Sequence, residues 1–333
     1  NPAIAPFDAK QAREHQEAWA KHFRVPVEYT NSIGMKFVLI PPGEFMMGST
    51  SDEIEETMTL ARGNKAWEEK TLSQSPQHKV ILSQPFYLGV CEVTQKNYES
   101  IMGRNPSHFS ATGGGKNAVV GVDTANYPVE SVHWNDAVEY CVRLSMKEGF
   151  RPCYDRKGDE FALRLGNGYR LPTEAEWEFA CRAGTTTKFW IGNDNDLLSQ
   201  VAWFEKNSSL RTHIVGDLTS NPFGLYDMHG NVWEWTQDGW AADSYQRFAN
   251  QTAIDPAGSA EVTNQRIVRG GSWPGFAVHL HSGSRNAGNP ANGGDNSVGF
   301  RASLSVDAVK NAITLKSNVS VVPLNTAPAN SSK

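Results

Sequence analysis

"GLYDMHGNVWEWTQDGW", residues 224–240, shows neither a helical stripe nor a clean two-residue alternation. Tryptophan recurs among Gly, Asn and Asp. Large aromatic side chains supply apolar area, while Gly, Asn and Asp supply tight hydrogen-bonded turns, so this texture predicts long ordered loops pinned by buried aromatics. The same texture returns between Arg266 and Leu304, and almost no helical periodicity follows Gly184.

Upstream the character differs. "MKFVLIPPGEFMMGS" (35–49) and "HKVILSQPFYLGVCEV" (78–93) read as short strands cut by Pro and Gly. In residues 132–149, Asn135 is a candidate N-cap and Ala137, Val138, Cys141 and Leu144 share one helical face before Gly149. In residues 170–184, Thr173 and Glu176 have capping-box spacing, Trp177, Ala180 and Cys181 form the inner stripe, and Gly184 ends the helix. A shorter helix is expected from Thr94, carrying Tyr98 and Ile101 inward. Residues 8–23 predict a surface helix with Ala18, Trp19, His22 and Phe23 on one side. The chain therefore divides into a helical lead (1–28), a loop-rich α+β domain (29–305) and an extension (306–333) read as one strand and a disordered end.

With 333 residues, 39% of them hydrophobic, the chain can bury one large core or two modest ones. A net charge of −5 with Lys and Arg scattered leaves no basic stripe for nucleic acid. Pro and Gly interrupt every apolar run well short of the roughly 20 residues of a membrane span. The start at Asn1, with neither Met nor an apolar leader, predicts a processed extracytoplasmic protein, periplasmic or secreted, or a piece of a longer chain. Cys91, Cys141, Cys153 and Cys181 contain no C-x-x-C pair, so buried free thiols are expected, with one disulfide as the alternative. "TGGGKNAVVG" (112–121) lacks Walker spacing and reads as a loop. Glu174, Glu176 and Glu178, like Asp136 and Glu139, read as solvent-facing or capping residues of amphipathic helices rather than as a catalytic carboxylate pair.

Seven blocks stand in one order: "NSIGMKFVLIPPGEFMMGS", "PFYLGVCEVTQKNY", "PVESVHWNDAVEYC", "YRLPTEAEWEFACRAG", "NPFGLYDMHGNVWEWTQD", "RIVRGGSW" and "VGFRAS". Together they resemble the formylglycine-generating enzyme (sulfatase-modifying factor) family over residues 29 to 304. The resemblance implies a variant of the C-type-lectin fold with little regular secondary structure. It also implies an oxidase that converts a target cysteine to formylglycine with oxygen and a copper ion held by two cysteines just after "RGGS". Here no cysteine follows Cys181, and hard ligands do not replace thiolates for Cu(I). Copper is therefore not expected. Cys181 matches a disulfide position of some relatives, but its partner is missing and it reads as a buried thiol.

The resemblance further implies a structural Ca²⁺ site from Asp227, the carbonyls of Gly230 and Val232, and the carboxylate of Glu234, a hard oxygen set from one tight loop. The segment after "RGGS" offers a groove of Trp273, Phe276, Val278, His279, Leu280, His281 and Arg285. On a strand, His279 and His281 would point to one side, as pocket polar groups or as a two-imidazole metal site. The expected function is a non-catalytic binding or accessory module whose former active-site groove holds a protein, peptide or glycan. Two alternatives stand beside it: an oxidoreductase with cysteine-independent chemistry, and a diversified lectin-like receptor.

Overall fold

The computed structural model describes residues 1–158, 160–257, 265–289 and 295–319. The chain enters through β1 (Ala3–Ile4) and α1 (Ala9–Phe23), then β2 (Glu28–Thr30), β3 (Lys36–Ile40) and β4 (Gly43–Met47). A helical pair, α2 (Ser51–Ala61) and α3 (Lys65–Leu72), precedes β5 (His78–Leu82), β6 (Phe86–Gly89), α4 (Gln95–Met102) and α5 (Trp134–Lys147). A small hairpin, β7 (Tyr154–Lys157) and β8 (Glu160–Leu163), leads to α6 (Glu174–Arg182). Regular structure then thins to short strands in long loops: β9 (Ala202–Trp203), β10 (His229–Gly230), β11 (Trp233–Gly239), β12 (Ala253–Ile254), β13 (Arg266–Arg269), β14 (Arg285–Gly288), β15 (Val298–Gly299) and β16 (Ser303–Ser305), closed by α7 (Val306–Val319).

Three four-stranded sheets carry the fold, in the orders β1-β4-β5-β12, β16-β6-β3-β2 and β14-β13-β11-β15. β3 shows why the strand prediction holds without a polar face. Its Phe37 and Leu39 enter one apolar core and Val38 and Ile40 a second, so period-two alternation feeds both sides. β6 pairs antiparallel with β3 and does the same, Tyr87 on one side and Phe86 and Leu88 on the other. Each such burial contributes about 1.5–3 kcal/mol, and the sheet therefore lies between the cores.

The helices follow their capping signals. Thr173 and Glu176 form the expected capping box, and α6 ends at Ala183 in the left-handed region, ahead of Gly184. Thr94 caps α4 and Tyr98 is fully buried. α5 buries Ala137, Val138, Cys141 and Leu144 but starts earlier than expected, with His133 at the N-cap. Buried Trp134 draws the first turn inward by donating from Nε1 to the Thr236 carbonyl at 2.8 Å.

The ends depart from expectation. α1 turns Ala12, Gln16 and Ala20 inward, with Trp19 and Phe23 half-buried and His22 exposed. Gln16 donates to the carbonyls of Leu39 and Phe223, both at 3.0 Å, and β1 pairs with β4, so the lead is stitched into the domain. Residues 306–319 form α7 instead of a strand, its Val306, Ala308, Val309 and Ala312 buried in the core; the rest of the extension lies outside the described residues. All four cysteines are free thiols, and Cys141, Cys153 and Cys181 are buried as expected, whereas Cys91 is half-buried.

Candidate functional site

Along β11 the side chains alternate. Trp233 and Trp235 pack into the core, and Glu234 points the other way, toward α6. There its carboxylate accepts from Trp177 Nε1 at 2.7 Å and from Arg301 Nε and Nη2 at 2.6 and 2.5 Å. Two further buried ion pairs flank it. Glu174 accepts two bonds from Arg285, and Glu178 lies between Arg182 and Arg269. Burial opposes the charge of Glu178, yet the two guanidinium groups hold its carboxyl below the usual range. The expectation that Glu174 and Glu178 face solvent is therefore corrected: on α6 only Glu176, in the capping box, plays the predicted part, while also pairing with Arg170. Asp136 and Glu139 do sit at half-exposed positions, paired with Arg104 and Arg143.

The expected groove divides into wall and core. Residues 277–279 form a tight helical turn rather than a strand, so His279 and His281 diverge. His279 lines a cleft of about 440 Å³, whereas His281 is buried with both ring nitrogens unpartnered and packs edge-to-face with Phe189, ring centroids 5.3 Å apart. The shared two-imidazole site is not formed. Val278 lines the cleft and Leu280 is fully buried in the apolar cluster behind it. Trp273 packs edge-on against Phe109, while Phe276 remains exposed. Arg285 touches the cleft but is committed: besides Glu174 it donates to the Ser73 carbonyl and Ser244 Oγ and lies over Tyr245.

The opposite wall comes from α3, which the sequence reading missed. Trp67 meets His279 with ring centroids 4.8 Å apart, and Asn64 and Lys70 join it. Burial, reinforced by the Lys70 charge, lowers the His279 pKa, so the neutral imidazole is favoured. Burial also lowers Lys70. Trp233, Asn286 and Asp295 complete the lining. A lone Trp in the polar run "NKAWEEK" was the available signal; only packing shows its role.

Gly230 has φ of +88°, and a Cβ there would run into the Trp203 carbonyl oxygen, as a turn position requires. Asp227 is buried; its Oδ2 accepts from the Gly216 amide at 2.6 Å and its Oδ1 has no partner. Glu234, the other acidic donor of the implied calcium set, accepts from Trp177 and Arg301 and lies close enough for its charge to act on Asp227. Glu92, also missed, lies beside Asp227 with both carboxylate oxygens unpartnered.

The lectin-like arrangement of short sheets, the buried arginine pairs beneath the "RGGSW" turn and the cleft beside it define a scaffold of the formylglycine-generating-enzyme type. The chain belongs to the sulfatase-modifying factor enzyme 1-like domain family, whose pattern matches residues 22–305. It is 32% identical over 258 residues to the chaperone protein LppX of Paenibacillus barcinonensis, covering 68% of this chain and 81% of that one. It is 32% identical over 163 residues to the formylglycine-generating enzyme of Thermomonospora curvata, covering 45% of this chain but only 46% of the enzyme. Among solved structures, Treponema denticola variable protein 1 superposes with a TM-score of 0.69 at 29% identity, covering 84% of this chain and 99% of that one.

Proposed function

We propose that this chain is a non-catalytic binding module that receives a protein or peptide segment, or a glycan, in the cleft between α3 and the 272–286 segment. The observation that carries the reading is the chemistry of the cleft wall. Trp67, Trp233 and His279 offer aromatic faces, Asn64, Asn286 and Asp295 offer directed polar contacts, and none of the four cysteines lines it. Aromatic faces set among many polar side chains, Gln74, Ser272 and Ser297 among them, suit directed recognition. Cys181, which burial pushes up to about 12, lies in the core as a thiol, so it supplies no thiolate nucleophile. The likeness to a protein named as a chaperone supports a polypeptide ligand.

Cysteine-independent chemistry would need a reactive constellation in the same cleft, and the imidazole available there is His279 alone. A diversified receptor is favoured by the likeness to a variable protein. Against it, Val278, Leu280, His281, Ser282, Ser284 and Arg285 are buried, which leaves little of that segment free to vary.

The test has two arms. Incubation with copper, oxygen and a sulfatase-type cysteine peptide is expected to leave the peptide unmodified by mass spectrometry; formylglycine in the product sinks the reading. Peptide and glycan arrays are expected to return ligands whose binding falls at least about tenfold in Trp67→Ala, since losing an aromatic hot spot costs about 2 kcal/mol or more.

A further inference from the structure

Asn64, at the N-cap of α3, Trp67 and Lys70 are spaced by three residues, so they share the helix face that lines the cleft. Lys70 is half-buried there, and burial lowers its pKa. Among the described residues its ammonium donates no hydrogen bond and enters no ion pair. Glu69, exposed and next in sequence, is the carboxylate whose charge acts on it. An ammonium taken partly out of water without a counter-ion is costly.

Trp67 brings a second group to the same place. Its ring meets that of His279 at 4.8 Å between centroids, and the Lys70 charge acts on this imidazole. The His279 ring nitrogens likewise have no partner among the described residues. Burial and Lys70 both favour the neutral ring, which carries one N–H to donate and adds no second positive charge. An ammonium, a ring N–H and an indole face therefore meet on one stretch of wall.

The other charged groups of the lining are engaged. Arg285 gives Nε and one Nη2 proton to Glu174 and its Nη1 protons to the Ser73 carbonyl and Ser244 Oγ. Asp295, the one carboxylate of the lining, accepts from the Ser297 amide and Oγ at 2.9 and 2.5 Å and forms no ion pair with Lys70. One unmatched positive charge suits one negative charge. A carboxylate can place one oxygen on the ammonium and the other on the His279 N–H. A phosphoryl group, at about −2, would be left half-neutralised, and the guanidinium that best fits it is spent on Glu174.

We infer that Trp67, Lys70 and His279 form a carboxylate subsite that makes the cleft select acidic polypeptide segments, through an Asp or Glu side chain or a C-terminal carboxylate. The inference rests on the binding function proposed above and narrows its ligand.

The test offers the full-length protein an array of short synthetic peptides, each made with Glu or Gln at its centre and with a free or amidated C-terminus. Wild type is expected to bind the acidic member of a pair at least about tenfold more tightly than its neutral twin. Which pairs discriminate, Glu against Gln or acid against amide, identifies the carboxylate. Lys70→Gln is expected to bind both members of each pair within about twofold of one another, at the level of the neutral twin in wild type. Lys70→Arg, which keeps the charge, is expected to restore the preference. Equal weakening of acidic and neutral peptides in Lys70→Gln would mean a structural role and overturn the inference. Ligands that are neutral, sensitive to Trp67→Ala and indifferent to Lys70→Gln would also overturn it, while leaving the binding function standing. An array with no bound peptide would overturn the inference, and if a parallel array of uronate-bearing glycans then binds in a Lys70-dependent way, the ligand is a glycan.

Discussion

Arg285 holds Glu174 by two hydrogen bonds, Nε to Oε1 at 2.8 Å and Nη2 to Oε2 at 3.0 Å, tying the first residue of β14 to the first of α6. The same guanidinium donates to the Ser73 carbonyl at the end of α3, so a single side chain anchors both walls of the cleft. Arg285→Met leaves Glu174 buried with Tyr245 Oη as its remaining hydrogen-bond donor from a side chain and Arg269 only at the longer distance of 3.8 Å. It is expected to lower stability by about 3–5 kcal/mol, read by urea denaturation. Adding Glu174→Leu is expected to recover much of that loss, because removing both partners relieves the unpaired charge.

The turn at Gly230 makes a second prediction. Gly230→Ala combines a left-handed backbone with a collision against the Trp203 carbonyl, so the β9–β10 pairing must shift. Gly224→Ala faces a similar φ of +83° but open space. Thermal melts are expected to show a loss of about 1–2 kcal/mol for Gly224→Ala from backbone handedness alone. The loss for Gly230→Ala is expected to be at least twice that. Similar losses at both positions would show that the close approach does not matter.

What could be read in advance tracks what is local. The Thr173–Glu176 capping box and the β3 and β6 runs depend on neighbours in sequence, and each appears as expected. The sulfatase-modifying-factor frame was likewise legible, because its blocks are long and ordered. The site was less so. His279 and His281 were read on strand spacing, but a helical turn at 277–279 separates them. Arg285 and Glu234 look like ligand-facing charges until partners 111 and 67 residues away occupy them. α3 and Glu92 gave no motif, since their roles come from long-range packing.

Glu130 supplies a pH signature. It is fully buried, and burial pushes its pKa up to about 7 despite bonds from the Phe109 amide and Ser131 Oγ. Its folded pKa lies above the unfolded value of 4.5. Its contribution is therefore fully present below pH 4.5 and is lost as pH rises through about 7. Glu130→Gln is expected to gain on the order of 3 kcal/mol relative to wild type between those limits. Chemical denaturation across that window checks it, and a pH-independent difference between the two proteins would refute it.

His281 has the opposite sign. Burial, then the Lys188 and Arg182 charges, lowers its pKa to about 3 from 6.5, and neither ring nitrogen has a partner. The unfolded chain takes up a proton below pH 6.5 that the folded chain refuses, so stability falls as pH drops toward 3. His229, also lowered to about 3, adds to the trend, but its ring is hydrogen-bonded to the Leu280 carbonyl and the Trp190 amide. Replacing it would strand those groups, whereas His281→Leu strands none and keeps an apolar contact for Phe189. His281→Leu is thus expected to stay within about 1.5 kcal/mol of wild type at pH 7. Near pH 4 it should be more stable by several kcal/mol, because a three-unit shift carries about 4 kcal/mol. Tm followed from pH 7 to 4 decides: parallel curves for the two proteins would mean that His281 titrates normally, with its ring reaching water or a donor.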